Sequence, residues 1–282
     1  MSRIDWPAVI DRAAAVVYSY DTSVTLRQLF YRLVSEQLIP NSTAAYKRLS
    51  SLTAEARRES DFPDLIDRGR KIHRYQHFDG PTEALAQLQR WYRRDRTTGQ
   101  DVSLYLGVEK AGMVVQLQSW FGDLGIPILA LGGYSSQTYV QDVVDDVEGQ
   151  THLDEDGDEN QRPAVLLYAG DFDPSGEDID RDFIERTNCF EDVTRVALSA
   201  EQVVSYRLPI NPGKVTDSRA GAFIERHGQL VQVELDALDP ATLRQLFDTA
   251  ISAYWDTSAY DAVRAQERED LRRLREAADG AR

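Results

Sequence analysis

Apolar positions recur with helical spacing over the first hundred residues, then condense into short continuous runs separated by further helical stretches. Asp5 stands where a helix N-cap belongs, with Pro7 in the first turn, and this predicts a helix over Trp6 to Tyr18. Thr25 opens a second helix whose apolar residues Leu26, Leu29, Phe30, Leu33 and Val34 recur at helical spacing, and Ile39-Pro40-Asn41-Ser42 breaks it. A third helix is expected from Thr43 to Glu59. Two helices joined by a short Pro/Asn/Ser turn, the second carrying Lys47, Arg48, Arg57 and Arg58, fit a DNA-binding helix-turn-helix, although such pairs are also common in proteins that touch no DNA. The basic stretch Arg68 to Phe78 predicts a wing of short strands, and Pro81 to Arg94 a closing helix. Residues 1–95 are thus expected to form a mostly α, winged-helix-like domain.

Asp95 to Gln100 is polar and contains Gly99, which marks it as the linker. Beyond it the pattern predicts strands at Val102–Val108, Ile126–Leu131, Ala164–Ala169 and Val193–Leu198. Helices are expected between them at Met113–Phe121, Gln137–Val147 and Glu177–Thr187, with residues 142–160 an acidic insertion. Apolar strands alternating with helices mean a mostly parallel sheet covered on both faces, with ligands gathering at the carboxyl ends of its strands. The fold class expected is α/β, with this second domain over 101–256 and a charged helix over 257–282.

Charge divides the chain. Of 282 residues with a net charge of −15, residues 1–100 hold 16 Lys and Arg against 12 Asp and Glu, and the remainder 16 against 35. That asymmetry suits a front domain that meets phosphates and a rear domain whose acidity is partly metal-binding. The opening residues carry Arg3, Asp5 and a proline, and no apolar run approaches a membrane span, so a cytoplasmic protein is expected, nucleoid-associated if DNA is its partner. Cys189 is the only cysteine, which excludes an internal disulfide and a cysteine-cluster zinc site.

Candidate chemistry concentrates at strand ends. The run Ala164 to Ala169 leads into Gly170-Asp171-Phe172-Asp173-Pro174-Ser175-Gly176, whose two aspartates at i, i+2 lie on one side of an extended chain. Like charges held so close favour protonation unless a cation neutralises them, and oxygen ligands suit Mg2+ or Mn2+. Glu109, just past the strand Val102–Val108, can face the same ion. On spacing alone, a solvated turn and a helix-terminal glutamate fit equally well.

Val108-Glu109-Lys110-Ala111-Gly112-Met113 and Gly170-Asp171-Phe172-Asp173-Pro174-Ser175-Gly176-Glu177-Asp178 together resemble the two signature segments of the TOPRIM domain. They look most like those in the A subunit of type IIB topoisomerases (topoisomerase VI) and the related meiotic double-strand-break protein. The resemblance implies that Glu109, Asp171 and Asp173 hold magnesium near a scissile phosphate. Thr25 to Arg32 resembles the family segment in which an arginine precedes a Tyr-Tyr pair: Arg27 matches the arginine and Tyr31 the attacking tyrosine, while Phe30 departs from the pattern. Lying four residues apart, Arg27 and Tyr31 share a helix face, where a guanidinium can stabilise phenolate and bind phosphate. An aromatic in a helical stripe is equally an ordinary packing residue, and Tyr46 is a reserve candidate. Arg32 and Lys110 join Lys47, Arg48, Arg57 and Arg58 as expected DNA contacts.

The activity implied is tyrosine-mediated DNA cleavage that leaves a 5′-phosphotyrosyl link. The resemblance also implies a homodimer with the site completed between protomers, double-stranded DNA as partner, and a separate ATPase subunit if strands are passed. Hydrolysis by activated water, as in other TOPRIM proteins, and a non-catalytic DNA-binding subunit stay open. The resemblance covers residues near 25–60 and 102–200, with a weak echo in Val233-Glu-Leu-Asp-Ala-Leu-Asp-Pro240. His73 and His77 lack a third ligand, Asp154 to Glu159 lacks the closing glutamate of a calcium loop, and Gly132 to Ser136 offers groups that can cradle phosphate.

Overall fold

The structure is a computed structural model that describes residues 4–20, 24–59, 61–65, 75, 77–133, 135–153, 158–213 and 216–280. Most of the expected wing lies outside the described residues, as do His73, Tyr134 and residues 154–157.

The first unit is three helices around one apolar core. α1 (Trp6–Ser19) starts at the Asp5 cap, and α2 (Leu26–Ser35) starts at Thr25 with a full capping box, Thr25 and Gln28 satisfying each other's backbone N–H groups. α3 (Thr43–Arg58) starts at Ser42. Val9, Ala13, Val16, Leu29, Phe30, Leu33 and Leu49 are buried together between them. α4 (Pro81–Trp91) ends a turn earlier than the sequence pattern predicts, because the backbone at Tyr92 turns to φ −57, ψ 124.

Next comes an α/β unit whose sheet has four parallel strands in the order β2-β1-β5-β6. These are β1 (Ser103–Val108), β2 (Ile128–Ala130), β5 (Ala164–Ala169) and β6 (Asp192–Ala197). Crossovers contain α5 (Val114–Phe121), α6 (Gln137–Glu148), the antiparallel hairpin β3 (Thr151–Leu153) and β4 (Glu159–Gln161), and α7 (Pro174–Thr187). The supposed acidic insertion is therefore the end of α6 followed by a hairpin. Strand alternation sorts the core into two layers. Leu104, Leu106, Val108, Val165 and Leu167 face α5 and α10 (Pro240–Ser252), whereas Tyr105, Leu166 and Tyr168 face α6 and α7.

The chain then runs through α8 (Ala200–Ser205), β7 (Asn211–Pro212), α9 (Ala220–His227) and β8 (Val231–Gln232), elements that apolar periodicity did not predict because each is short. β7 and β8 pair antiparallel. After α10 the charged helix α11 (Thr257–Gly280) returns to pack on α4. No helix among the described residues is long and apolar enough to cross a membrane.

Residues 95–100 are a packed corner instead of a free linker. Arg96, Thr97 and Gln100 are buried, and Gln100 exchanges hydrogen bonds with the Asp256 backbone. Arg96 Nη2 meets Glu267 Oε1 at 2.8 Å with both side chains buried, and Arg96 also pairs with Asp123. A buried pair costs most when one partner is removed, because the other charge is left uncompensated. Glu267→Ala is expected to lower stability to urea by roughly 3 kcal/mol, while Arg96→Met with Glu267→Leu costs much less; equal losses from the two changes would contradict this account.

Candidate active site

The sheet brings the first two acids together through backbone register. β1 and β5 are neighbours with Val108 opposite Ala169, so the residues that follow, Glu109 and Gly170-Asp171, leave the sheet side by side. Glu109 N–H donates to the Ala169 carbonyl, and Asp171 N–H donates to Glu109 Oε2 at 2.7 Å. Close packing leaves no room for side chains here: a Cβ on Gly132 would lie 2.3 Å from the Glu109 carbonyl oxygen, and one on Gly176 would lie 2.5 Å from that of Asp171. Arg195 Nη2 donates to the same Asp171 carbonyl at 2.6 Å.

Asp173 is turned to another task. It is the N-cap of α7, its Oδ1 accepting from Gly176 N–H at 2.7 Å. Among the described residues, no group of three or more His, Cys, Asp and Glu side chains is arranged to hold an ion. The donor chemistry still fits a hard divalent cation. Glu109, Asp171 and Asp173 offer only carboxylate oxygen, each has one oxygen engaged by a backbone N–H, and Asp171 and Asp173 are buried.

Two further acids, missed in the sequence, complete the cluster. Val233 pairs with Phe172 through two backbone hydrogen bonds of 2.9 and 3.0 Å, which lays Glu234 and Asp236 beside the Asp171 loop. Leu235 N–H donates to Asp171 Oδ1 at 2.7 Å. Lys110 Nζ meets Asp171 Oδ1 at 2.7 Å, pairs with Glu234, and lies 3.6 Å from Asp236. Arg27, arriving from α2, pairs with Glu234 and lies 3.1 Å from Asp236. The available signal was the alternation in Val233-Glu-Leu-Asp-Ala, where charged residues sit in a strand-like apolar run.

Tyr31 belongs to both hydrophobic cores, packed against the sheet unit on one side and the helical unit on the other. Its ring lies 5.8 Å from the Arg27 guanidinium carbon and edge-on to Phe30 at 5.3 Å. It also lines a cavity of about 320 Å3 with Arg27, Phe30, Asn41, Ser42, Thr43 and Tyr46. The other expected DNA contacts scatter. Lys47, Arg48 and Arg58 are exposed on α3, with Arg48 beside a different hollow that includes Glu55 and Glu59. Arg57 caps the Thr53 carbonyl at 3.2 Å, Arg32 pairs with Glu36 at 3.2 Å, and Lys110 is turned inward onto carboxylates. Ser136, in the glycine-serine loop, caps α6.

The electrostatics follow from one ammonium shared among several acids. Burial, reinforced by Glu109 and Glu234 and opposed by Lys110, pushes the Asp171 carboxyl up to about 7. Burial likewise raises Glu109 against the Asp171 N–H and Lys110. At Glu234 burial acts upward too, but Lys110 and Arg27 outweigh it and hold the carboxyl below its usual range. The Tyr31 phenol is pushed up by burial and by Glu234 despite Arg27 and Lys110, so this surrounding disfavours phenolate.

Comparison with known protein families found none that matches the chain, and comparison with curated proteins found no match.

Because the Asp171 proton is held more tightly in the folded chain than in the unfolded one, stability from this site is present at low pH and is lost as pH rises from the ordinary aspartate range through about 7. Urea unfolding in EDTA is expected to show wild-type stability falling between pH 5 and pH 8, with a shallower fall in Asp171→Asn; identical slopes would rule out Asp171 as the source.

Proposed function

We propose that this chain is a metal-dependent DNA-cleaving transesterase with a TOPRIM-like sheet unit and a winged-helix-like front unit. The observation that carries the reading is a chain of contacts that runs from the Tyr31 ring to Arg27, from Arg27 to Glu234, and from Glu234 through Lys110 to Asp171 at the end of β5. A nucleophile, cations for phosphate and oxygen ligands for Mg2+ or Mn2+ share one site.

In the proposed reaction the Tyr31 hydroxyl oxygen attacks a backbone phosphorus. A tyrosyl–phosphorus bond forms to the 5′ end and the bond to the 3′ oxygen breaks; the phenolic proton passes to solvent, and the 3′ oxygen takes a proton from solvent and leaves as a hydroxyl. Arg27 and Lys110 bind the non-bridging oxygens, exchanging their carboxylate partners for phosphate. Glu109 and Asp171, with Asp173 beside them, would hold the cation, which supplies charge neutralisation at the phosphate when bound. Cutting both strands needs two copies of the site, hence a homodimer; strand passage would need a separate ATPase subunit.

Hydrolysis by water at the same acids is the second reading, favoured by the raised Tyr31 phenol. Supercoiled DNA incubated with Mg2+ or Mn2+ and quenched with denaturant separates the two. The transesterase leaves protein covalently on 5′ ends, and Tyr31→Phe removes both adduct and cleavage by at least about 100-fold. Full cleavage by Tyr31→Phe with no adduct in wild type establishes hydrolysis in its place, and cleavage unaffected by Asp171→Asn rejects the metal site.

A further inference from the structure

α4 buries none of its residues, and its partner in the fold is α11. Between them runs an open groove of about 610 Å3 lined by Ala86, Gln89, Arg90, Arg93 and Arg275. All three arginines are exposed. Neighbouring arginines are engaged by acids: Arg94 with Asp270 at 2.5 Å, Arg96 with Glu267, Arg264 with Asp123 at 2.7 Å, and Arg272 and Arg273 with Glu269 at 2.7 and 3.1 Å. Among the described residues Arg90, Arg93 and Arg275 make no salt bridge within 4 Å, and of the three only Arg93 adds its charge to those that hold the Glu267 carboxyl below its usual range. Among the described residues, Arg93 gives hydrogen bonds to the carbonyls of Arg90 and Tyr92, at 3.2 and 2.8 Å.

This arrangement runs against the composition. Acids outnumber Lys and Arg by 47 to 32, yet three guanidinium groups face one groove without a carboxylate. Like charges gathered there repel one another until an anion enters. Arg90 lies in the last turn of α4, Arg93 lies just past the end of that helix, and Arg275 closes the groove from α11. The alanine leaves the floor open, and the Gln89 amide adds a neutral donor.

We propose that this groove binds the sugar-phosphate backbone of double-stranded DNA, as a contact built from helices that contribute nothing to the Tyr31 site. Guanidinium forks match phosphate oxygens, and cations spread over two helices suit a polymer of phosphates better than one small anion. A strongly acidic chain repels DNA over most of its surface, so its affinity must come from local basic patches of this kind. The choice of DNA over an acidic polypeptide rests on the function proposed above.

The test is equilibrium binding of the full chain to a fluorescent duplex in EDTA, titrated over salt, so that no cleavage chemistry enters. Arg90→Ala with Arg93→Ala and Arg275→Ala is expected to weaken binding on the order of tenfold at low salt and to make the slope of log affinity against log salt shallower by about 2 to 3. Replacing all three by lysine restores most of the slope. An unchanged slope in the alanine variant, with a folded circular dichroism spectrum, overturns the groove as a DNA contact, as does a wild-type chain that binds no duplex. Loss of the tyrosyl adduct in Tyr31→Phe with this slope intact belongs to the catalytic reading alone, so the two proposals fail separately.

Discussion

The sharing of Lys110 among Asp171, Glu234 and Asp236 is the interaction on which the rest of the structure turns. One ammonium cannot fully neutralise three buried carboxylates, so the strain falls unevenly. Glu234, which also has Arg27, stays ionised, while Asp171 is left with the deficit. The same network joins three distant stretches of chain: α2, the end of β1 and the segment after β8. Electrostatics and domain packing are therefore one problem here. The helical unit docks where its arginine satisfies acids that the sheet alone leaves in surplus.

Apolar packing supports that seam without specifying it. Tyr31 contributes its ring to both cores, and the buried Gln28 side chain donates to Gln116 across the boundary at 2.7 Å. A polar contact of this kind fixes orientation where hydrophobic surface would allow sliding. The sheet supplies the rest of the rigidity, since both acid-bearing turns emerge from strands buried along their whole length.

Much of the fold could be read from local pattern. The Asp5, Thr25 and Ser42 caps lie where the sequence places helix starts, and β5 spans the predicted residues, because capping and continuous apolar runs are local properties. The stretch 95–100 reads as a linker because it is polar, but its arginine is satisfied by a glutamate 171 positions away. Composition carries no information about such a partner. The site shows the same division. Position at strand ends made Glu109 and the two aspartates candidates for one shared face, with a solvated turn fitting as well, and it could not show that Asp173 caps a helix or that Glu234 and Asp236 join the cluster. Those facts depend on the Phe172–Val233 bridge, a pairing between segments 61 residues apart by their numbers.

The crowding at Gly132 and Gly176 has a consequence for how such a site can vary among sequences. A carboxylate can be exchanged for another at the cost of chemistry alone, but a side chain at either glycine would displace the backbone that carries the acids. Variation should therefore be tolerated less at these two silent positions than at many charged ones nearby. The spacing from Glu109 to Gly132 and from Asp171 to Gly176 is a signature of the scaffold, and it would persist in a descendant that had kept the architecture and abandoned the reaction.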